Sequence, residues 1–203
     1  MAFLRGNDYI YCMQTGLFFG SFNPVHNGHM MLANYFLAVQ GLKEVWFVVS
    51  PQNPLKQKST LLDERQRLQM VNLAIGDYPK MKASNIEFGL PQPSYTVNTL
   101  AHLQEKYPKK EFALIMGSDN LQSLHRWKNY EEILNRHIIY VYPRPGFSGG
   151  EFAKHQHVVM TEAPIIEISS TQIREWIKNK KDVRFFMPNA SWEYLKEMHF
   201  YSK

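Results

Sequence analysis

The sequence has very little cysteine: one residue, Cys12, in 203. A lone thiol excludes an intrachain disulfide framework and a zinc site built on several cysteines. No stretch approaches eighteen consecutive apolar residues, so a membrane helix is not expected. A charged start leading into an apolar stretch and a small-residue cleavage site is also missing, and a cytoplasmic protein with no membrane partner is expected. Internal repeats and low-complexity tracts are missing too. Charge of one sign is only mildly in excess, with 23 Lys and Arg against 18 Asp and Glu and a net charge of +5. So small a surplus favours anionic ligands in general and does not single out nucleic acid. The densest basic clusters, 106–110 and 178–181, fall at expected helix ends, where cations complement the dipole. They read as solvated faces, and no nucleic-acid partner is expected.

What is present is the composition of a globular protein: 44% hydrophobic and 20% charged residues. The length suits one domain with a core that needs no covalent staple. Residues 13–203 are expected to form that domain, and 1–12, which include Cys12, an extension outside it. Short apolar runs at 17–22, 45–49, 112–116 and 138–142 read as strands covered on both faces. A strand is also expected at 85–90, and shorter ones at 158–160 and 165–168. Helical periodicity marks 29–40, 62–75, 96–107, 120–135, 170–180 and 191–199. Alternating strands and helices predict an α/β fold, a doubly wound parallel sheet with helices on both faces and a C-terminal helical portion.

The most informative stretch runs from Gly16 to His29 and reads Gly-Leu-Phe-Phe-Gly-Ser-Phe-Asn-Pro-Val-His-Asn-Gly-His. A buried strand leads into a Gly, Ser, Asn and Pro loop and then a helix. Ligands of open α/β sheets sit at the carboxyl ends of the strands. A helix start there offers unpaired N–H groups and a positive dipole end to phosphate. Gly20 and Gly28 allow close backbone approach. His26 and His29, three apart, can face one anion. From spacing alone, an anion site, a metal pair and an incidental arrangement stay equally open. His155 and His157 alternate along a possible strand and read as exposed loop histidines.

Gly20, Phe22, Asn23, Pro24, His26, Gly28 and His29 resemble the signature of the HxGH nucleotidyltransferase superfamily. Within it the chain resembles the nicotinate-nucleotide adenylyltransferase family, from about Thr15 to its end. Five further blocks carry the likeness: 51–56 (Pro-Gln-Asn-Pro-Leu-Lys), 93–100 (Pro-Ser-Tyr-Thr-Val-Asn-Thr-Leu), 117–121 with Trp127, Arg144-Pro145-Gly146, and 168–174 (Ile-Ser-Ser-Thr-Gln-Ile-Arg). Two positions depart from the pattern. Asn23 stands where the family often has Asp, and Leu55 where the loop commonly has His, so no role of that histidine carries over. A phosphopantetheine adenylyltransferase would prefer Thr at position 26 and lack the 93–100 and Trp127 blocks. A nicotinamide mononucleotide enzyme differs by one amide, which sequence reads poorly. A nucleotide-binding regulator would tolerate loss of His26, His29 and Arg174.

The resemblance implies a Rossmann-like fold and a reaction between ATP and nicotinate mononucleotide that gives deamido-NAD and pyrophosphate. It implies no covalent intermediate and no resident metal site, with Mg²⁺ bound mainly through the ATP phosphates. His26, His29 and Arg174 are then the catalytic groups on the phosphates. Gly20, Ser21, Phe22, Gly28, Ser170 and Thr171 complete the ATP site. Asn53, Lys56, Thr96, Asp119 and Trp127 receive the mononucleotide, with the Trp127 indole stacked on the pyridine. Each has a plainer reading. Ser170, Thr96 and Asp119 are possible helix caps, Trp127 possible core, and Arg174 a possible partner of a surface carboxylate. A homo-oligomer is left open.

Overall fold

The computed structural model describes residues 14–51 and 61–202. Residues 1–13, 52–60 and 203 lie outside the described residues, and with them the expectations for the 1–12 extension, Cys12, Asn53 and Lys56.

Six strands form one parallel sheet: β1 (Thr15–Gly20), β2 (Glu44–Val49), β3 (Met81–Ser84), β4 (Phe112–Gly117), β5 (Ile139–Tyr142) and β6 (Val158–Met160), in the order β3-β2-β1-β4-β5-β6. Among the described residues, seven helices accompany these strands: α1 (Asn27–Ala38), α2 (Glu64–Ile75), α3 (Thr96–Lys106), α4 (Ser118–Gln122), α5 (Tyr130–Arg136), α6 (Ser170–Lys178) and α7 (Asn189–Glu197). This is the expected doubly wound, Rossmann-like architecture.

The period-2 alternation of strands divides the core. Phe18, Phe47 and Ile115 face one layer, packed against Leu32 and Phe36 of α1, Met70 of α2, Ile173 of α6 and Leu195 of α7. Their chain neighbours Leu17, Trp46 and Leu114 face the other, with Leu100 and Leu103 of α3 and Ile133 of α5. With both faces covered, the central strands read as unbroken apolar runs. The C-terminal helical portion is tied in by Ser191, whose buried hydroxyl donates to the Met70 carbonyl at 2.7 Å.

Three segments depart from the sequence-based expectation. The strand expected at 85–90 lies earlier, at Met81–Ser84, and Ile86–Gly89 is a 3₁₀ turn. The edge strand Met-Lys-Ala-Ser is half exposed and carries no apolar run, whereas Ile86 and Glu87 are buried anchors of the turn. The segment 165–168 joins no strand. The helix expected over 120–135 is broken into α4, a 3₁₀ turn at Leu124–Arg126, and α5. Trp127 there is extended and Asn129 is left-handed (φ 51°), a conformation Asn tolerates.

Strand order reverses between β1 and β4, whose crossovers leave in opposite directions. The crevice outside their carboxyl ends is where such folds hold ligands, and both ends carry the motifs singled out by sequence.

Candidate active site

Two cavities open there. The first, about 350 Å³, is lined by the loop after β1, by His26 and His29, and by Arg144 and Arg174. The second, about 460 Å³, is lined by Ser50, Glu87, Thr96, Trp127 and Lys128 among others. Both volumes suit small molecules. Gly20, Ser21, Asp119 and Asn120 border both, so the ends of β1 and β4 form a shared wall.

The histidines are fixed by the helix start. His26 is the N-cap of α1, and its N–H donates to His29 Nδ1 at 3.2 Å. A nitrogen that accepts carries no proton, so neutral His29 bears its hydrogen on Nε2. The rings stack with centroids 3.7 Å apart, and the Phe22 ring meets His29 edge-on at 5.1 Å. His26 is buried, and its Nδ1, which faces the first turn of α1, meets the hydrogen-bond criteria with no partner among the described residues. An orphaned lone pair costs less than an orphaned N–H, which again favours Nε2–H. Burial, and then the nearby Arg144 guanidinium, lower the His26 pKa to about 4. His26 is therefore neutral at pH 7.

Gly20 and Gly28 are required first by the protein's own packing. A Cβ at Gly20 would lie 2.9 Å from the Phe22 ring. One at Gly28 would lie 2.7 Å from Ile166 and 3.0 Å from both His26 Nδ1 and Ile168. Phe22 itself holds φ at 44°, an uncommon value for a bulky residue. Gly20 thus makes room for the ring that supports His29.

The start of α6 is fastened to the same loop. The N-cap is Ser169, which accepts from the Gln172 N–H at 3.2 Å, rather than Ser170. The Ser170 hydroxyl instead donates to the Pro24 carbonyl at 2.8 Å. Arg174 donates to the Asn23 carbonyl at 2.7 Å and to the Thr171 hydroxyl at 3.3 Å, and forms no ion pair among the described residues. Asn23 Oδ1 accepts from the Leu62 N–H at 3.2 Å and the Tyr201 hydroxyl at 2.6 Å. Burial pushes the Tyr201 phenol well up, so it stays a donor at neutral pH.

In the second cavity Trp127 is part-buried beside the core layer rather than enclosed in it. Thr96 is the first residue of α3, after the N-cap Tyr95, so it is not the cap. Asp119 lies in the first turn of α4, and its N-cap is Gly117. The Asp119 carboxylate accepts no hydrogen bond from the described residues, and Arg144 Nε stands 4.0 Å away. Asp119 lines both cavities. His155 and His157 line neither cavity; the His157 amide donates to His155 Nδ1, and His157 Nδ1 lies 2.9 Å from the Leu134 carbonyl.

Two residues were not assigned from sequence. Arg144 adds a cation to the first cavity, and its Arg-Pro-Gly block was the available signal. Glu87, nearly fully buried, accepts from the Thr99 hydroxyl at 2.8 Å and the Ser94 hydroxyl at 3.0 Å, tying down the start of α3. Burial raises its pKa against those hydroxyl bonds. No local pattern marks a lone carboxylate of this kind.

The fold and the histidine-bearing, glycine-lined cleft define a protein of the cytidylyltransferase-like class, whose family model matches residues 17–176. A probable nicotinate-nucleotide adenylyltransferase of Flavobacterium psychrophilum is 58% identical over 193 residues, covering 94% of this chain and 100% of that one. Its namesake from Flavobacterium johnsoniae is 54% identical over the same shares. The chain belongs to the nicotinate-nucleotide adenylyltransferase family. In fold it is similar to the Plasmodium falciparum nicotinic acid mononucleotide adenylyltransferase complexed with NaAD (TM-score 0.77, 18% identity, 93% of this chain and 97% of that one).

Two outcomes are expected from this geometry. The folded-state pKa of His26 lies below its unfolded value, so its contribution to stability is full above about pH 6.5 and is lost as pH falls towards 4. Urea unfolding at pH 7 and pH 5 should show a loss from this group of about 2 kcal/mol, absent in His26→Gln. Gly20→Ala should destabilise by about 1–3 kcal/mol through overpacking. Adding Phe22→Leu should cost less than the sum of the single changes, because the ring atoms in the way are withdrawn.

Proposed function

We propose that this chain joins ATP and nicotinate mononucleotide to give deamido-NAD and pyrophosphate, as a cytoplasmic enzyme. The observation that carries this is the pair of cavities sharing one wall. One holds two imidazoles and two guanidiniums, as polyphosphate requires, and the other holds an indole and hydroxyls, as a pyridine nucleotide requires. The names of the close relatives agree with it.

In the proposed reaction an oxygen of the mononucleotide phosphate attacks the α-phosphorus of ATP in line. The bond from that phosphorus to the α–β bridging oxygen breaks, and its electron pair leaves on pyrophosphate. The nucleophile is already anionic at neutral pH, so no general base is needed and no covalent intermediate forms. What remains is alignment and charge stabilisation. The Nε2–H groups of His26 and His29 donate to the phosphates, with His29 on the transferred group. Arg174, Thr171 and Ser170 at the start of α6, with Arg144, meet the outer phosphates. Thr96 and Trp127 hold the pyridine end, and Asp119 takes a ribose hydroxyl. Asn53 and Lys56 are assigned to the mononucleotide phosphate from the family pattern alone.

No group of three or more metal-ligating side chains occurs among the described residues. Among the described residues, Asp119 is the one carboxylate lining the first cavity. So sparse a donor set fits Mg²⁺ held mainly by triphosphate oxygens, with few protein ligands. Bound there, Mg²⁺ would neutralise phosphate charge.

A pyrophosphate-release assay with ATP, Mg²⁺ and nicotinate mononucleotide, nicotinamide mononucleotide or phosphopantetheine tests the assignment. The nicotinate acceptor should give the highest kcat/KM, and preference for phosphopantetheine would refute the reading. His29→Ala should lower turnover at least about 100-fold with little change in the KM for ATP, because its contact strengthens as charge builds. Trp127→Ala should raise the KM for the mononucleotide about 10-fold and leave that for ATP nearly unchanged, as loss of a stacking contact would.

A further inference from the structure

Arg67, in α2, is fully buried. No carboxylate stands within ion-pair distance of it among the described residues. Its guanidinium is spent on four backbone carbonyls. Nε donates to Leu62 at 2.8 Å, Nη1 to Ser21 at 2.6 Å and to Ser50 at 2.8 Å, and Nη2 to Pro51 at 3.0 Å. These carbonyls come from three segments: the loop after β1, the residues after β2, and those leading into α2. The first two are laddered as far as the Ser50 N–H, which donates to the Gly20 carbonyl at 3.0 Å, and Arg67 extends that tie past the end of the sheet and joins the third segment to it. Ser21 borders both cavities and Ser50 borders the second. The clamp continues through Leu62, whose N–H donates to Asn23 Oδ1, itself held by the Tyr201 hydroxyl.

A buried charge without a counter-ion is costly, and a neutral side chain could have filled the space. What only a guanidinium offers is a rigid planar fork that reaches several acceptors in fixed directions. We propose that Arg67, continued by Asn23 and Tyr201, is the positioning residue that sets the spacing between the two substrate sites. Resting on the reaction proposed above, its effect falls on the distance between the attacking oxygen and the α-phosphorus. Each substrate keeps its own binding groups when the clamp is loosened, but the two no longer meet in line. A displacement of about 1 Å is enough to cost about 100-fold in rate.

The test uses full-length Arg67→Gln, Arg67→Lys and Tyr201→Phe beside the wild-type chain. It measures thermal unfolding, the Kd of ATP and of nicotinate mononucleotide separately, and turnover at saturation of both. Both Kd values should stay within about 3-fold of wild type while turnover falls about 100-fold in Arg67→Gln. Arg67→Lys, which keeps the charge and loses the fork, should recover only part of the loss. Tyr201→Phe removes one hydroxyl and should lower turnover in the same way by a smaller factor; it reads the clamp if neither Arg67 variant folds. Turnover within twofold of wild type in folded variants overturns the inference. So does a turnover loss matched by an equal loss of affinity for either substrate, which would mark a purely structural or binding role. Absence of turnover in the wild-type chain would instead remove the proposed reaction.

Discussion

The loop between β1 and α1 cannot satisfy its own backbone. Three of its carbonyls are met by side chains distant in sequence: Ser21 by Arg67, Asn23 by Arg174, and Pro24 by Ser170. Buried carbonyls left unpaired would each cost on the order of 1–3 kcal/mol, so the conformation of this loop depends on α2 and α6 being docked. The dependence also runs the other way. Helix α6 finds its position partly by capturing that loop, and Tyr201, beyond α7, reaches back to Asn23. The cleft end of the sheet is thereby assembled from both ends of the described chain, and the histidines stand on a scaffold closed by the last described residues.

This arrangement explains what the sequence disclosed and what it withheld. The sheet was legible because its central strands are buried on both faces, and continuous apolar runs such as 45–49 and 112–116 are the physical consequence of that burial. The edge strand Met81–Ser84 has no such obligation and was misplaced. The apolar spacing over 120–135 predicts one helix because nothing in it reports the break between Leu124 and Asn129, where Trp127 is extended and lines the second cavity. The cleft itself was legible through the family pattern at positions 20–29 and 168–174. Bare spacing had left an anion site and a metal pair undivided. In the structure His29 Nδ1 accepts from a backbone N–H, and no group of three or more His, Cys, Asp or Glu side chains is gathered among the described residues.

Arg67 and Glu87 stayed hidden for a different reason. Arg67 is a charged residue in a stretch of ordinary polar sequence and Glu87 one between Ile86 and Phe88, and neither interior position reveals what the charge is paired with. Their partners are backbone carbonyls and hydroxyls, which every segment supplies, so no pairing of opposite charges betrays them. Both do related work. Arg67 gathers carbonyls at the wall the two cavities share and at the edge of the second, and Glu87 gathers hydroxyls behind the second.

The placement of charge in the cleft follows a consistent logic for the proposed reaction. Two polyanions must be brought into contact, and the product pyrophosphate must then leave. A wall of fully charged side chains directly on the transferred phosphate would stabilise bound ATP as strongly as the transition state and would gain no rate. Here the groups at the loop are neutral imidazoles, one of them kept so by burial and by Arg144. The cations stand around and behind them, with Arg67 wholly enclosed and Arg144 and Arg174 at the rim. Neutral donors held in a rigid stack gain most where new negative charge develops, while the surrounding cations lower the energy of drawing both substrates in. Rigidity is therefore part of the electrostatics: an Nε2–H stabilises the developing charge only if the loop beneath it stays in place as that charge appears.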